Sequence, residues 1–272
     1  NYSIDWPLVK WYNLSMKLIC PKWSYPLIRS EKTCRCENNH CYDFAKEGYI
    51  NLLLKESVSH GDDANMVKAR TSFLHTDSYA FLKDKLCELI KGENGEVLVD
   101  LGCGEGYYTS SFPFGEKYGF DLSKHALKYA SKHDSSTQYC VSSIFHLPLP
   151  DECADVIVTC FAPVAKEEIE RLLKHNGCFI VVTPDKNHLI ELKEFLYKEA
   201  YENEVKDIDI SLKKENEIHI SNTFEVNNDN AFNLFQMTPY AYKTSVESMN
   251  KLKEIDTMKI TASFVIRLYR KA

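Results

Sequence analysis

The sequence predicts an α/β protein, an open and largely parallel sheet behind a small metal-stapled module, and three observations carry that prediction. From Val97 onward, short apolar runs alternate with helical patterns, the order that calls for parallel strands joined by crossover helices. The first run, Val97–Leu101, ends in a turn with Gly102, Gly104 and Gly106 at alternate positions behind Asp100. Ahead of it, Cys20, Cys34, Cys36, His40 and Cys41 crowd into one short stretch.

The chain has 272 residues, 44% of them hydrophobic, enough for one large domain or for one domain and a smaller one. No run of about 18 apolar residues occurs, so no membrane-spanning helix is expected. The N-terminal region lacks the basic, apolar and small-residue pattern of a signal peptide. Cys87, Cys103, Cys140, Cys153, Cys160 and Cys178 fall in apparent core elements and read as small buried hydrophobes in a reducing, cytoplasmic setting. The net charge of −6 argues mildly against a nucleic-acid partner, but its distribution is uneven. Residues 1–70 hold ten basic and eight acidic residues, a net +2, which leaves −8 for the rest. A mildly basic N-terminal part beside an acidic body is compatible with RNA contact, and equally with ordinary variation in surface charge.

Residues 1–15 are read as an N-terminal extension or an added segment, because Met16 begins a natural-looking start. Residues 16–58 form a ribbon-like module. Its Cys20-Pro21 pair and its Cys36-x-x-x-His40 pair have the types and spacing of ligands that close a tetrahedron on Zn²⁺. The position expected to supply a fourth ligand holds Trp23. Either Cys34 or Cys41 completes the set, or the module folds without metal and Trp23 packs where the ligand would be. Residues 59–272 form the larger domain. Two helices come first, over residues 65–74 and 78–91, with apolar residues at helical spacing. Strands follow at 97–101, 118–121, 138–141, 154–161 and 178–183, with helices at 124–132 and 165–174 between them. A long helix is expected from His188 to about Tyr201. Beyond a polar stretch containing a strand-like run at 217–221 come helices near 230–236 and 245–255 and a last strand over 259–269.

The segment Val97–Tyr108 resembles motif I of class I S-adenosylmethionine (SAM) methyltransferases. It is neither the G-x-G-x-x-G of a dinucleotide site nor a P-loop. On that resemblance Asp100, Gly102, Cys103, Gly104, Gly106 and Tyr107 line the cofactor, and Asp121 with Leu122, at the end of the second strand, holds its ribose diol. Ser142, Ser143 and His146 follow the third strand, where adenine and substrate channel meet. The fourth strand ends in Cys160-Phe-Ala-Pro163, with no acid or amide to hold an exocyclic amine. Phe161 and Pro163 are candidate base contacts, Phe161 stacking on a nucleobase or else closing the core. Tyr240 is a further stacking candidate, and His188 and Glu191 are candidate bases or partners for a carbonyl oxygen.

Several segments together resemble the RlmA family of 23S rRNA guanine-N1 methyltransferases. They are the Cys20-Pro and Cys36-x-x-x-His40 pairs, Asp43–Leu53, Leu101–Thr109, Gly119–Lys124, Phe161–Pro163, Thr183-Pro with His188–Lys193, and Gln236–Tyr240. The likeness runs from about residue 18 to the C-terminus. It implies a Rossmann-like class I SAM-dependent methyltransferase domain with a small N-terminal zinc-ribbon-like domain, and a homodimer whose joint cleft holds a 23S rRNA hairpin near the peptide exit tunnel. Trp23 departs from the family's ligand pattern. Two other readings compete: a class I methyltransferase acting on a small molecule, and an RNA-binding module with a vestigial methyltransferase fold.

Overall fold

The computed structural model describes residues 17–54, 61–197, 199, 202–238, 241, 244 and 246–272. The expected extension at 1–15, Met16 and Tyr240 lie outside the described residues. Three short antiparallel strands open the chain: β1 (Ile28–Ser30), β2 (Thr33–Arg35) and β3 (Cys41–Asp43). They are followed by β4 (Ile50–Asn51), α1 (Ala64–Leu74), α2 (Ala80–Lys91), β5 (Val97–Leu101), β6 (Glu116–Asp121) and α3 (Lys124–His133). Then come β7 (Thr137–Val141), β8 (Ala154–Cys160), α4 (Lys166–Leu172), β9 (Leu173–Pro184) and α5 (Ile190–Leu196). The chain closes with β10 (Lys213–Asn227), α6 (Asn228–Gln236), α7 (Val246–Lys251) and β11 (Thr257–Arg270).

The large sheet has the order β10-β11-β9-β8-β5-β6-β7-β4. Its strands from β9 to β4 pair in parallel, and β11 and β10 join antiparallel. All five residues of β5 are buried, as a strand covered on both faces requires. Alternate residues serve opposite faces: Val97, Val99 and Leu101 enter one core with Phe120 and Ile157, while Leu98 enters the other with Leu86, Val156 and Phe264.

The ribbon does not stand apart from this body. Leu18, Leu27, Cys34 and Leu52 share one core with Val97, Val99 and Tyr118. Strand β4, expected inside the ribbon module, instead extends the large sheet by pairing Ile50 with Cys140 and Asn51 with Val141. Two expectations from pattern alone change in length. The helix expected from His188 begins only at Ile190, because Leu189 sits in the left-handed region at φ +56°, and it ends at Leu196. The strand-like run at 217–221 lies within a 15-residue strand, β10, whose alternate residues Ile218, Ile220, Phe224 and Val226 pack on the core while Asn222 interrupts the alternation and the other face is exposed.

Candidate functional site

Strand order reverses at β5, with β6 and β7 on one side and β8 and β9 on the other. Open α/β sheets bind ligands in the crevice at the carboxyl ends of such strands. A cavity of about 440 Å³ lies there, lined from β5 and β8 by Asp100, Gly102 and Cys160–Pro163.

The glycine turn is shaped for close approach. Gly102 has φ +77°, and a Cβ on it would come within 2.5 Å of the Ala162 side chain. Gly106 has φ +81°, and a Cβ there would meet the Tyr139 hydroxyl at 2.6 Å. Side chains at these positions would be strained, and would press the turn against the β8 loop at Gly102 and against β7 at Gly106. Asp121 is tied by two backbone N–H groups: Gly104 donates to Oδ2 at 2.9 Å and Ser123 to Oδ1 at 2.7 Å. Burial raises its pKa above the usual carboxylate range although these hydrogen bonds oppose the shift.

Asp100, at the end of β5, is buried. Burial lifts its pKa to about 7, against the hydrogen bond that Thr109 Oγ1 donates at 2.5 Å. Its Oδ1, Glu105 Oε2 and Tyr108 Oη are buried atoms with no hydrogen-bond partner among the described residues, and all three residues line the cavity. Carboxylate oxygens without a hydrogen bond, on Asp100 and Glu105 beside a glycine cradle, fit a cationic cofactor: SAM carries a sulfonium and an ammonium group.

Of the residues expected from sequence, Cys103, Leu122, Ser143, Phe161, Pro163 and His188 also line the cavity. Phe161 has φ +62° and is 42% exposed. A bulky residue held in the left-handed region is a strained choice, of the kind that clusters at ligand clamps. Its ring lies 5.2 Å from that of Phe264 and 6.4 Å from that of Tyr108. Phe145, 59% exposed, lines the same mouth and carries no sequence signal beyond its place after β7.

His188 is buried against the rings of Phe264 and Tyr79. The Ser263 N–H donates to its Nδ1 at 3.2 Å, so the proton of the neutral ring is on Nε2. Burial first, and the nearby Lys193 cation second, push its pKa down to about 3. At neutral pH it is therefore a hydrogen-bond donor.

Other expected residues are placed elsewhere. Glu191 accepts hydrogen bonds from Thr261 N–H at 3.0 Å and Thr261 Oγ1 at 2.6 Å, pinning α5 to β11 away from the cavity. The buried Ser142 Oγ donates to the carbonyls of Ser143 and His146, shaping that turn, and His146 itself is exposed. Tyr107 packs edge-on against Tyr108 beneath the Lys83 ammonium, and Tyr108 is the one that reaches the cavity. Sequence reasoning missed Asp62, Arg70 and Glu105. The first two come from α1 and the segment before it, far from the glycine turn in sequence.

The ribbon brings its three expected ligands together. Cys20 Sγ, Cys36 Sγ and His40 Nδ1 lie within 4.8 Å of one another, and each sulfur is 3.4 Å from the ring nitrogen. With metal–ligand bonds of roughly 2.0–2.3 Å, ligand atoms of a tetrahedral zinc are about 3.5 Å apart, so the three fit. Burial opposes ionisation of Cys20. Hydrogen bonds from the Tyr42 hydroxyl, the Lys22 and Trp23 N–H groups and the Cys36 side chain outweigh it and lower the thiol's pKa. Neither Cys34 nor Cys41 joins this cluster among the described residues. Trp23 does not pack into the ligand's place, the arrangement expected of a module that folds without metal. Its backbone keeps the turn over Cys20, but its side chain is 60% exposed. The group beside Cys20 is instead the Tyr42 hydroxyl, 3.3 Å from the sulfur.

Comparison with known proteins agrees with both parts. Residues 92–252 match a methyltransferase domain family, and residues 18–55 match the family described as "RlmA, N-terminal". A 23S rRNA (guanine(748)-N(1))-methyltransferase of Streptomyces fradiae is 34% identical over 193 residues, 68% of this chain and 69% of that protein. The Bacillus subtilis protein named "Putative 23S rRNA (guanine-N(1)-)-methyltransferase YxjB" is 29% identical over 85% of this chain and 89% of its own length. The solved "Putative Type II Methyltransferase" from Anaeromyxobacter dehalogenans shares the fold, with a TM-score of 0.51 at 14% identity over 69% of this chain and 95% of that one. With the SAM cradle and the ribbon ligands in place, and with two thirds of a curated relative spanned at this identity, the chain belongs to the RlmA family of 23S rRNA (guanine-N1)-methyltransferases.

Proposed function

We propose that this protein methylates N1 of one guanine in a 23S rRNA hairpin near the peptide exit tunnel, and that it works as a homodimer. The observation that carries the reading is the cavity's two-zone chemistry. Acids and glycines lie deep, while the exposed aromatics Phe161 and Phe145 flank the mouth beside the neutral His188. SAM supplies an electrophilic methyl group. The chain's residues then have three tasks.

The first is to hold the base. A guanine paired in a helix cannot present N1, so a looped or flipped nucleotide is required, and an aromatic face at the mouth stabilises it by roughly 1–3 kcal/mol. The second is to ease loss of the N1 proton. A donor on O6 stabilises the charge that develops there, and His188 Nε2–H has the protonation state for it. The third is alignment, with N1 held about 3 Å from the transferred carbon. The ribbon supports RNA contact: Lys22, Trp23, Arg29, Lys32 and Arg35 are all exposed on it. Cys20, Cys36 and His40 would hold a zinc ion there, and that bond set would fix the surface.

Digestion of 23S rRNA to nucleosides after incubation with protein and labelled SAM tests the reading. Label in 1-methylguanosine is expected. Label in a methylated adenosine, or in a small molecule from cell extract with none in rRNA, would contradict it.

A further inference from the structure

We infer that Arg70, on α1, is the ligand of the carboxylate of the cofactor's methionine moiety, so that α1 closes the cofactor site from outside the glycine motif. The inference rests on SAM being the cofactor and adds a residue to its binding.

Charge matching carries it. The charged residues lining the cavity are Asp62, Asp100, Glu105, Asp121 and Arg70. SAM brings two cationic groups, sulfonium and ammonium, and one anion, its carboxylate. Four acids face the two cations, and among the described residues Arg70 is the single cation available for the anion.

Geometry agrees. Arg70 Nη1 pairs with the Asp62 carboxylate and stands 3.6 Å from Glu105 Oε2. Among the described residues no hydrogen bond engages its Nε or Nη2. That leaves one edge of the guanidinium fork for a carboxylate, the geometry in which arginine binds most strongly. The group lies directly over the turn, where a Cβ on Gly104 would be 3.4 Å from Nη1.

The backbone fixes α1 in this place. Asp63 caps the helix by accepting from the N–H groups of Asn65 and Met66 at 2.8 and 2.9 Å. The preceding carbonyl of Asp62 accepts from Ser123 Oγ at 2.6 Å, which ties the helix start to the end of β6 beside Asp121. Arg70 therefore lies about two turns along a helix anchored at the cofactor's ribose end.

Calorimetric titration of the full-length protein with SAM and with decarboxylated SAM, which lacks only the carboxylate, tests this. The wild type should bind SAM about tenfold or more tightly than the decarboxylated compound. Arg70→Met should weaken SAM by a similar factor, leave the decarboxylated compound unchanged or tighter, and bring the ratio near one. Because Arg70→Met strands the buried Glu105 and the half-buried Asp62, the double variant Arg70→Gln/Glu105→Gln is measured beside it, with thermal melts as the folding control. The same collapse of preference is expected. An undiminished preference for SAM in a folded variant would overturn the role of Arg70 alone. A wild type that binds neither compound would overturn the cofactor assignment itself.

Discussion

Asp100 and His188 are both buried beside the cavity, and burial moves them in opposite directions. Asp100, with a pKa of about 7 in the native state, keeps a proton that the unfolded chain has lost above pH ~4. Its contribution therefore falls as pH rises between about 4 and 7. His188, held near 3, lacks a proton that the unfolded chain gains below about 6.5, so its contribution is lost as pH falls from about 6.5 to about 3. The two slopes oppose each other, and the difference between wild type and Asp100→Asn isolates the first. For the cofactor the prediction is simpler. Ionised Asp100 attracts a cation, so SAM affinity should rise by up to about tenfold per pH unit below pH 7 and level off above it. Asp100→Asn should remove that rise, as read by titration at several pH values. A wild-type affinity independent of pH would count against this role. At the mouth, Phe161→Ala should lower kcat/KM for rRNA by about 5- to 100-fold through lost stacking, while the Kd for SAM stays within about twofold. Equal losses in both would mean that Phe161 only supports the core.

At the scale of elements, Glu191 joins α5 to β11. It stands at the start of α5, and on the sequence alone a carboxylate there reads as a base. Its two oxygens are taken by Thr261 on β11, a partner 70 residues away that no local pattern announces. Glu191→Gln should therefore lower stability by about 1–2 kcal/mol in chemical denaturation and leave methyl transfer in the folded fraction unchanged. A selective fall in kcat would restore it to the site. What was legible follows the same logic. The glycine turn, Asp121 and the alternating strands are local features, and local spacing displays them. Arg70 and Asp62 reach the turn through tertiary packing of α1, and β10 hides its length because Asn222 breaks its apolar alternation and its first five residues, Lys213–Glu217, are all polar.

For the molecule as a whole, the ribbon and the methyltransferase body share a core and a sheet. Loss of the metal site is then felt throughout. Cys36→Ser should remove bound zinc, measured by elemental analysis of the purified chain, and should lower the single thermal transition by several degrees or more. Two separate transitions would show that the ribbon folds independently. No helix of the described residues is long and apolar enough to cross a membrane.

Methyl transfer to guanine N1 of 23S rRNA leaves a mark that primer extension reads at nucleotide resolution. Methylation of N1 blocks the Watson–Crick edge and halts reverse transcriptase one nucleotide short. A stop is expected at a single hairpin guanine that requires both protein and SAM and is lost in Asp121→Ala. Extension without a stop, by a protein that binds SAM, would contradict transfer to guanine N1.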